Sequence, residues 1–191
     1  LSTINQRNNT HWGDEMEIKS DGTLRVYAAN VNGFTLDRRG GQFDMYCTVL
    51  QEVQADVAFG QEHNLDSIQS PVRSILFDTV KKHWQRSRIN FANTPVAFRN
   101  IYKPGGTFMM TVGNATGRVR TTSQDKWGRW TSQTFQGRAG VTITMISAYQ
   151  VVTDSPGKGL MKAASQQQSF LIQEQDPVIS PRQAFRRDLH R

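Results

Sequence analysis

The stretch that decides the fold runs from Thr23 to Gln61. It opens with "TLRVYAANVN" (Thr23–Asn32), passes through the loop "GFTLDRRGG" (Gly33–Gly41) and the segment "FDMYCTVLQEV" (Phe43–Val53), and closes with "ADVAFGQ" (Ala55–Gln61). The first and last segments have the β-rich, apolar character of buried strands, with Leu24, Val26 and Ala28 expected on one inward face. Between them Phe43, Tyr46, Cys47, Leu50 and Val53 recur at helical spacing. Two strands joined through a helix are normally parallel, with a right-handed crossover. Their carboxyl ends then share one edge of the sheet. Asn30 closes the first strand and Glu62 the second, so topology alone brings an amide and a carboxylate to the edge where open α/β sheets bind ligands.

Beyond that unit, "PVRSILFDTVKKHWQRSR" (Pro71–Arg88) predicts a helix with Val72, Ile75, Leu76, Thr79, Val80, His83 and Trp84 on one stripe. Its Arg and Lys residues are expected on a solvated face, and His83 half-buried beside Trp84. "NFANTPVAFRNIYKPGG" (Asn90–Gly106) reads as a loop with turn residues and a short strand. "GTFMMTVGNATGRVRTT" predicts two strands meeting at a turn near Gly113 and Asn114. "RWTSQTFQGRAGVTITMISAYQ" predicts a second hairpin, turning at "QGRAG". An antiparallel run after a parallel opening means α/β layering with a mixed sheet. Two helices follow, "LMKAASQQQSFLIQE" and one beginning at "AFRRDLHR". Residues 1–22 read as a flexible lead-in to a domain over 23–191.

The 191 residues suffice for one domain with a real core. No segment approaches the roughly 18 apolar residues of a membrane helix, and the polar first residues do not form a signal peptide. The first residue is not Met and the last predicted helix is cut short, so a longer parent chain is expected. Cys47, the one cysteine, excludes an internal disulfide and is expected in the core. The net charge of +7 favours a polyanionic partner.

Several chemistries are excluded. There is no P-loop, CxxC, HExxH or GxSxG pattern, and four scattered histidines make no zinc site. A hard-cation site remains, because Mg²⁺ takes one or two carboxylates plus waters and phosphate oxygens. Glu62 beside Asn30 fits the start of one.

These residues also carry a resemblance. "RVYAANVNGF", "VAFGQEHNLD", "YKPGGTFMM" and "ITMISAYQV", in that order, resemble motifs of the endonuclease/exonuclease/phosphatase superfamily. "HWQRSRINF", "YKPGGTF", "DKWGRW" and "ASQQQSFL" resemble the apurinic-endonuclease-like domain of non-LTR retroelements. The resemblance implies a four-layer α/β sandwich, here incomplete. It implies a DNA-nicking, Mg²⁺- or Mn²⁺-dependent phosphodiesterase inside the cell, in the nucleus if a retroelement encodes it. Glu62 would bind the metal, Asn30 would position the metal site or the water, and Tyr149 would orient the phosphate. The family's later Asp-x-Asn and Ser-Asp-His motifs are not found. The chain thus resembles the first half to two-thirds of such a domain, and by itself is expected to be inactive.

"GRVRTTSQDKWGRW" suggests DNA contacts through Arg118, Arg120, Lys126, Arg129 and Trp127. "SPRQAFRRDLHR" is a second basic cluster. Core packing is the competing reading of Trp127 and Trp130, and an ordinary strand-end aromatic that of Tyr149. Two other functions stay open: a non-catalytic nucleic-acid-binding remnant, and a phosphatase or phosphodiesterase of the same superfamily. Target site, abasic-site preference and oligomeric state are not encoded in any motif.

Overall fold

The computed structural model describes residues 17–37, 41–93, 103–151, 162–174 and 179–189. The expected parallel unit forms as β1 (Val26–Asn30), α1 (Gln42–Glu52) and β2 (Val57–Gln61), with Val26 paired to Val57 and Asn30 to Gln61. α1 buries Phe43, Tyr46, Cys47 and Leu50, the residues its spacing singles out. α2 (Ser70–His83) buries Val72, Leu76, Thr79 and Val80 and starts with Pro at its first turn.

α2 is shorter than its periodicity suggests. Trp84 is extended, and Ser87–Ala92 form β3 instead of a helical tail. β3 runs antiparallel along the whole of β4 (Thr107–Val112), from Ser87 opposite Val112 to Ala92 opposite Thr107. Six ladder residues outweigh another helical turn of polar side chains. The resulting mixed sheet has the order β1-β2-β4-β3.

β4 does not form a hairpin with the next strand. A short 3₁₀ segment, Gly113–Arg118, carries the chain across to a second sheet. That sheet is antiparallel, in the order β5-β6-β7, made of β5 (Val119–Gln124), β6 (Trp130–Gln136) and β7 (Thr142–Ala148). The hairpin that turns at "QGRAG" is the β6–β7 pair, as expected.

The two sheets pack face to face. Val57 and Met109 of the first meet Val119 and Phe135 of the second, with Phe59 and Met145 alongside. On the other face Ala58, Phe108 and Met110 pack against Phe43 and Leu50 of α1 and Leu76 and Val80 of α2. The described residues thus form three layers, helix on sheet on sheet. α3 (Ala163–Gln173) and α4 (Pro181–Leu189) pack against Trp127 in the β5–β6 turn through Leu171 and Ala184.

The expected face of β1 is reversed. Leu24 and Val26 are 40% and 43% exposed, whereas Tyr27 and Ala29 pack on the helical core. β1 is an edge strand, and the second sheet lies over β2, β4 and β3. The face that β1 shares with Val57 and Phe59 therefore stays open.

A polar bridge crosses the inter-sheet layer. Buried Gln133 accepts from Thr111 Oγ1, and its Nε2 donates to Asn90 Oδ1 at 2.9 Å. Gln133→Ala strands these groups, and urea unfolding should show a loss of about 1–3 kcal/mol.

Candidate active site at the carboxyl edge of the parallel pair

The crossover does what the sequence requires of it: Asn30 and Glu62 reach the same sheet edge. Val31 N–H donates to Gln61 O at 3.0 Å, extending the ladder past Asn30. Glu62 then leaves the strand with a left-handed backbone, φ 57°. Its N–H donates to Gly106 O at 2.8 Å, and its carbonyl accepts from Gly33 N–H at 2.6 Å. The carboxylate residue is thereby clamped between the turn after β1 and the loop before β4.

Tyr149 comes from the other sheet. Gln61 Nε2 donates to Ser147 Oγ at 3.2 Å, and Ser147 Oγ donates to Gly60 O at 3.2 Å. These bonds staple the end of β7 over the end of β2. Tyr149 N–H donates to Arg129 O at 2.8 Å, which fixes the residue beyond the strand. The half-buried phenol donates to the Glu62 carboxylate; burial first, and that carboxylate second, push its pKa above the ordinary phenol range. Gln61 lies in the motif "VAFGQEHNLD", but the sequence gives it no such stapling role, and it does not single out Ser147.

Asn30 is exposed at this edge. Its Oδ1 accepts from Asn32 N–H at 3.0 Å, so the amide NH₂ is the group presented outward. Among the described residues no three His, Cys, Asp or Glu side chains group as a metal cage. One carboxylate and one amide do not suit zinc. They suit a Mg²⁺ that keeps most of its waters and takes its other oxygens from phosphate.

His63 is fully buried under the site. Its Nε2 lies 3.0 Å from Ala92 O, and its Nδ1 accepts from Leu65 N–H at 3.1 Å. The ring is neutral, with Nε2 protonated, and burial lowers its pKa to about 4 against the Ala92 carbonyl's opposing pull. Gly106 must be glycine: its φ is 86°, and a Cβ there would sit 2.3 Å from His63 Nε2. Cys47 is buried as expected, and burial pushes its thiol up to about 12, out of the reactive range.

The proposed DNA-binding cluster is dispersed. Trp127 and Arg129 are each 2% exposed, so neither can touch a phosphate backbone. The Arg129 guanidinium stacks 4.2 Å from the Trp127 ring centroid and pairs with both Asp125 and Asp188. Lys126 is exposed but pairs with Glu174. Arg118 lines a cavity with Lys19, Gln54 and Asp56, at the opposite edge from Glu62. Arg120 is exposed on β5. On α4, Arg186 is exposed and Arg182 half-buried, and the Arg182 carbonyl accepts from Gln150 Nε2, one residue after Tyr149, at 3.5 Å.

No family model matches the chain, and no curated protein does. Among solved structures it is similar to an endonuclease/exonuclease/phosphatase family protein from Leptotrichia buccalis C-1013-b, at 17% identity and TM-score 0.46, over 79% of this chain and 63% of that one. It is also similar to the AP endonuclease LMAP from Leishmania major, at 15% identity and TM-score 0.43, over 80% of this chain and 46% of that one. A third likeness, at 10% identity and TM-score 0.37, is to an endonuclease/exonuclease/phosphatase from Beutenbergia cavernae DSM 12333, over 81% of this chain and 43% of that one. The chain thus spans less than two thirds of the length of each.

Proposed function

We propose that this chain carries the metal-binding carboxylate of a phosphodiester-cleaving enzyme, a DNA-nicking endonuclease of the retroelement type. The observation that carries the reading is the meeting of Asn30, Glu62 and Tyr149, from three strands and two sheets, at one edge, with Tyr149 hydrogen-bonded to Glu62. The net charge of +7 supports a polyanionic substrate. The motif resemblance supports DNA and a retroelement.

In this reading Glu62 and waters hold Mg²⁺ or Mn²⁺, which when bound supplies charge stabilisation for the leaving oxygen. Tyr149 fixes the carboxylate's direction through its hydroxyl. The Asn30 amide donates to a phosphate oxygen or to the attacking water, adding no negative charge. The described residues supply no group of three carboxylate or imidazole side chains to this site. A second reading is nucleic-acid binding without cleavage, which the net charge of +7 supports equally.

Nicking of supercoiled plasmid in Mg²⁺ by the full-length protein separates the two. Glu62→Gln is expected to lower kcat/KM by about 100-fold or more, the scale of losing one preorganised electrostatic partner. Equal nicking by wild type and Glu62→Gln overturns the assignment of Glu62. Salt-dependent binding with no nicking favours the second reading.

A further inference from the structure

Glu62 holds a conformation that an isolated chain disfavours. A left-handed backbone costs a non-glycine residue on the order of 1–2 kcal/mol, and φ is 57° at Glu62. Its surroundings must impose it. Both backbone bonds of Glu62 go to loops, to Gly33 after β1 and to Gly106 before β4. Neither partner belongs to a strand, so something else must hold these loops in place.

Asn64 does this. Its N–H donates to Gly105 O at 3.0 Å, and its carbonyl accepts from Lys103 N–H at 2.9 Å. Its side-chain Oδ1 accepts from Gly105 N–H at 2.7 Å. Its Nδ2 lies 3.1 Å from where a Cβ on Gly33 would be, so the same amide packs against the turn after β1. Its own φ is 56°, a conformation asparagine tolerates better than most residues. Two residues on, buried Asp66 pairs with buried Lys103 at 3.1 Å, closing the frame.

We infer that Asn64 is a positioning residue for Glu62: its amide locks the loops that hold the Glu62 backbone, and so sets the direction of the carboxylate toward Tyr149. The functional consequence rests on the reading of Glu62 proposed above; the placement itself is testable without any activity.

Asn64→Gly keeps the left-handed backbone and the two main-chain bonds but loses Oδ1. Asn64→Ser, whose hydroxyl falls short of Gly105, is studied beside it so that the outcome does not hang on one variant folding. Asn64→Asp keeps the acceptor. The readout is the Cζ resonance of Tyr149 in protein carrying ¹³C-labelled tyrosine, assigned with Tyr149→Phe. In Asn64→Gly and Asn64→Ser it should move to the position seen in Glu62→Gln, and in Asn64→Asp stay at the wild-type position. An unmoved resonance in a folded Asn64→Gly or Asn64→Ser overturns the inference. In the nicking assay Asn64→Gly should lose about tenfold in kcat with KM kept, the lower end of the effect of removing a group that orients a metal ligand, and Asn64→Asp should restore it. Absence of nicking in wild type counts against the nuclease reading and leaves the Tyr149 result standing.

Discussion

Replacing Arg129 with methionine should cost about 3–5 kcal/mol of folding stability, the scale of breaking a buried ion pair from one side. Arg129 is one of the largest fully buried side chains. Its Nε donates to Asp125 Oδ2 at 2.8 Å and its Nη2 to Asp125 Oδ1 at 3.0 Å, a bidentate pair. The same Nη2 donates to Asp188 Oδ2 at 2.8 Å, linking the β5–β6 turn to α4 across 59 residues. Burial alone would lower the Arg129 pKa, and the two carboxylates reverse that and raise it. Methionine fills much of the volume but leaves Asp125 buried without its cation. Chemical denaturation of the variant checks the loss. A double variant, Arg129→Met with Asp125→Asn, should recover part of it, because the stranded charge is gone. A loss below about 1 kcal/mol, typical of an exposed pair, would show that the cluster is open to solvent.

The same cluster shows where sequence reasoning stops. Trp127 and Arg129 sit in a basic, aromatic segment that looks like a nucleic-acid surface. Asp188, the residue that draws Arg129 inward, lies far away in the chain, and no local pattern announces it. One local signal existed: Asp125 Oδ2 accepts from Trp127 N–H at 3.1 Å and from Arg129 N–H at 3.0 Å, so an Asp opening a Gly-containing turn was a cap rather than a surface charge. β3 was illegible for a related reason. "HWQRSR" contains no Gly or Pro, and only the partner strand β4 makes Ser87–Ala92 extended. The turn residues of "VGNATG" mark a break, but in sequence a break between sheets looks the same as a hairpin. By contrast the order and direction of the parallel unit are legible, though not the buried face of β1, because one helix between two strands leaves a single handed crossover. That rule, with no contact information, brings Asn30 beside Glu62. It says nothing of Asn64 and Gly106, whose roles come from backbone angles that only the folded chain reveals.

Acid should weaken this protein through His63 before it protonates most carboxylates. The folded-state pKa is lowered to about 4 from 6.5. Between those values the unfolded chain binds a proton at this position and the native chain does not, so stability rises with pH across that window. The contribution is fully present above about 6.5 and is lost as pH falls toward 4. At roughly 1.4 kcal/mol per pH unit the loss is about 3 kcal/mol. Geometry gives the cause. Nε2 already carries the hydrogen bonded to Ala92 O, so the incoming proton must go to Nδ1, the acceptor for Leu65 N–H. The ring is surrounded by Phe91 and Phe108, edge-on at 5.2 Å and 6.4 Å, and by the Gly106 backbone, and among the described residues no carboxylate offsets the cost of burying an imidazolium. Protonation therefore breaks the bond to Leu65 and charges an aromatic pocket at once. His63→Gln keeps a donor for Ala92 and cannot titrate. Urea unfolding of wild type and His63→Gln at pH 7.5, 6.5, 5.5 and 4.5 should show the two curves converging as pH falls, with wild type losing its advantage. A constant difference across that range would mean that His63 is not held neutral. Because His63 follows Glu62 and packs on Gly106, the Glu62 loop should lose amide protection in the same window, ahead of the helices α1 and α2.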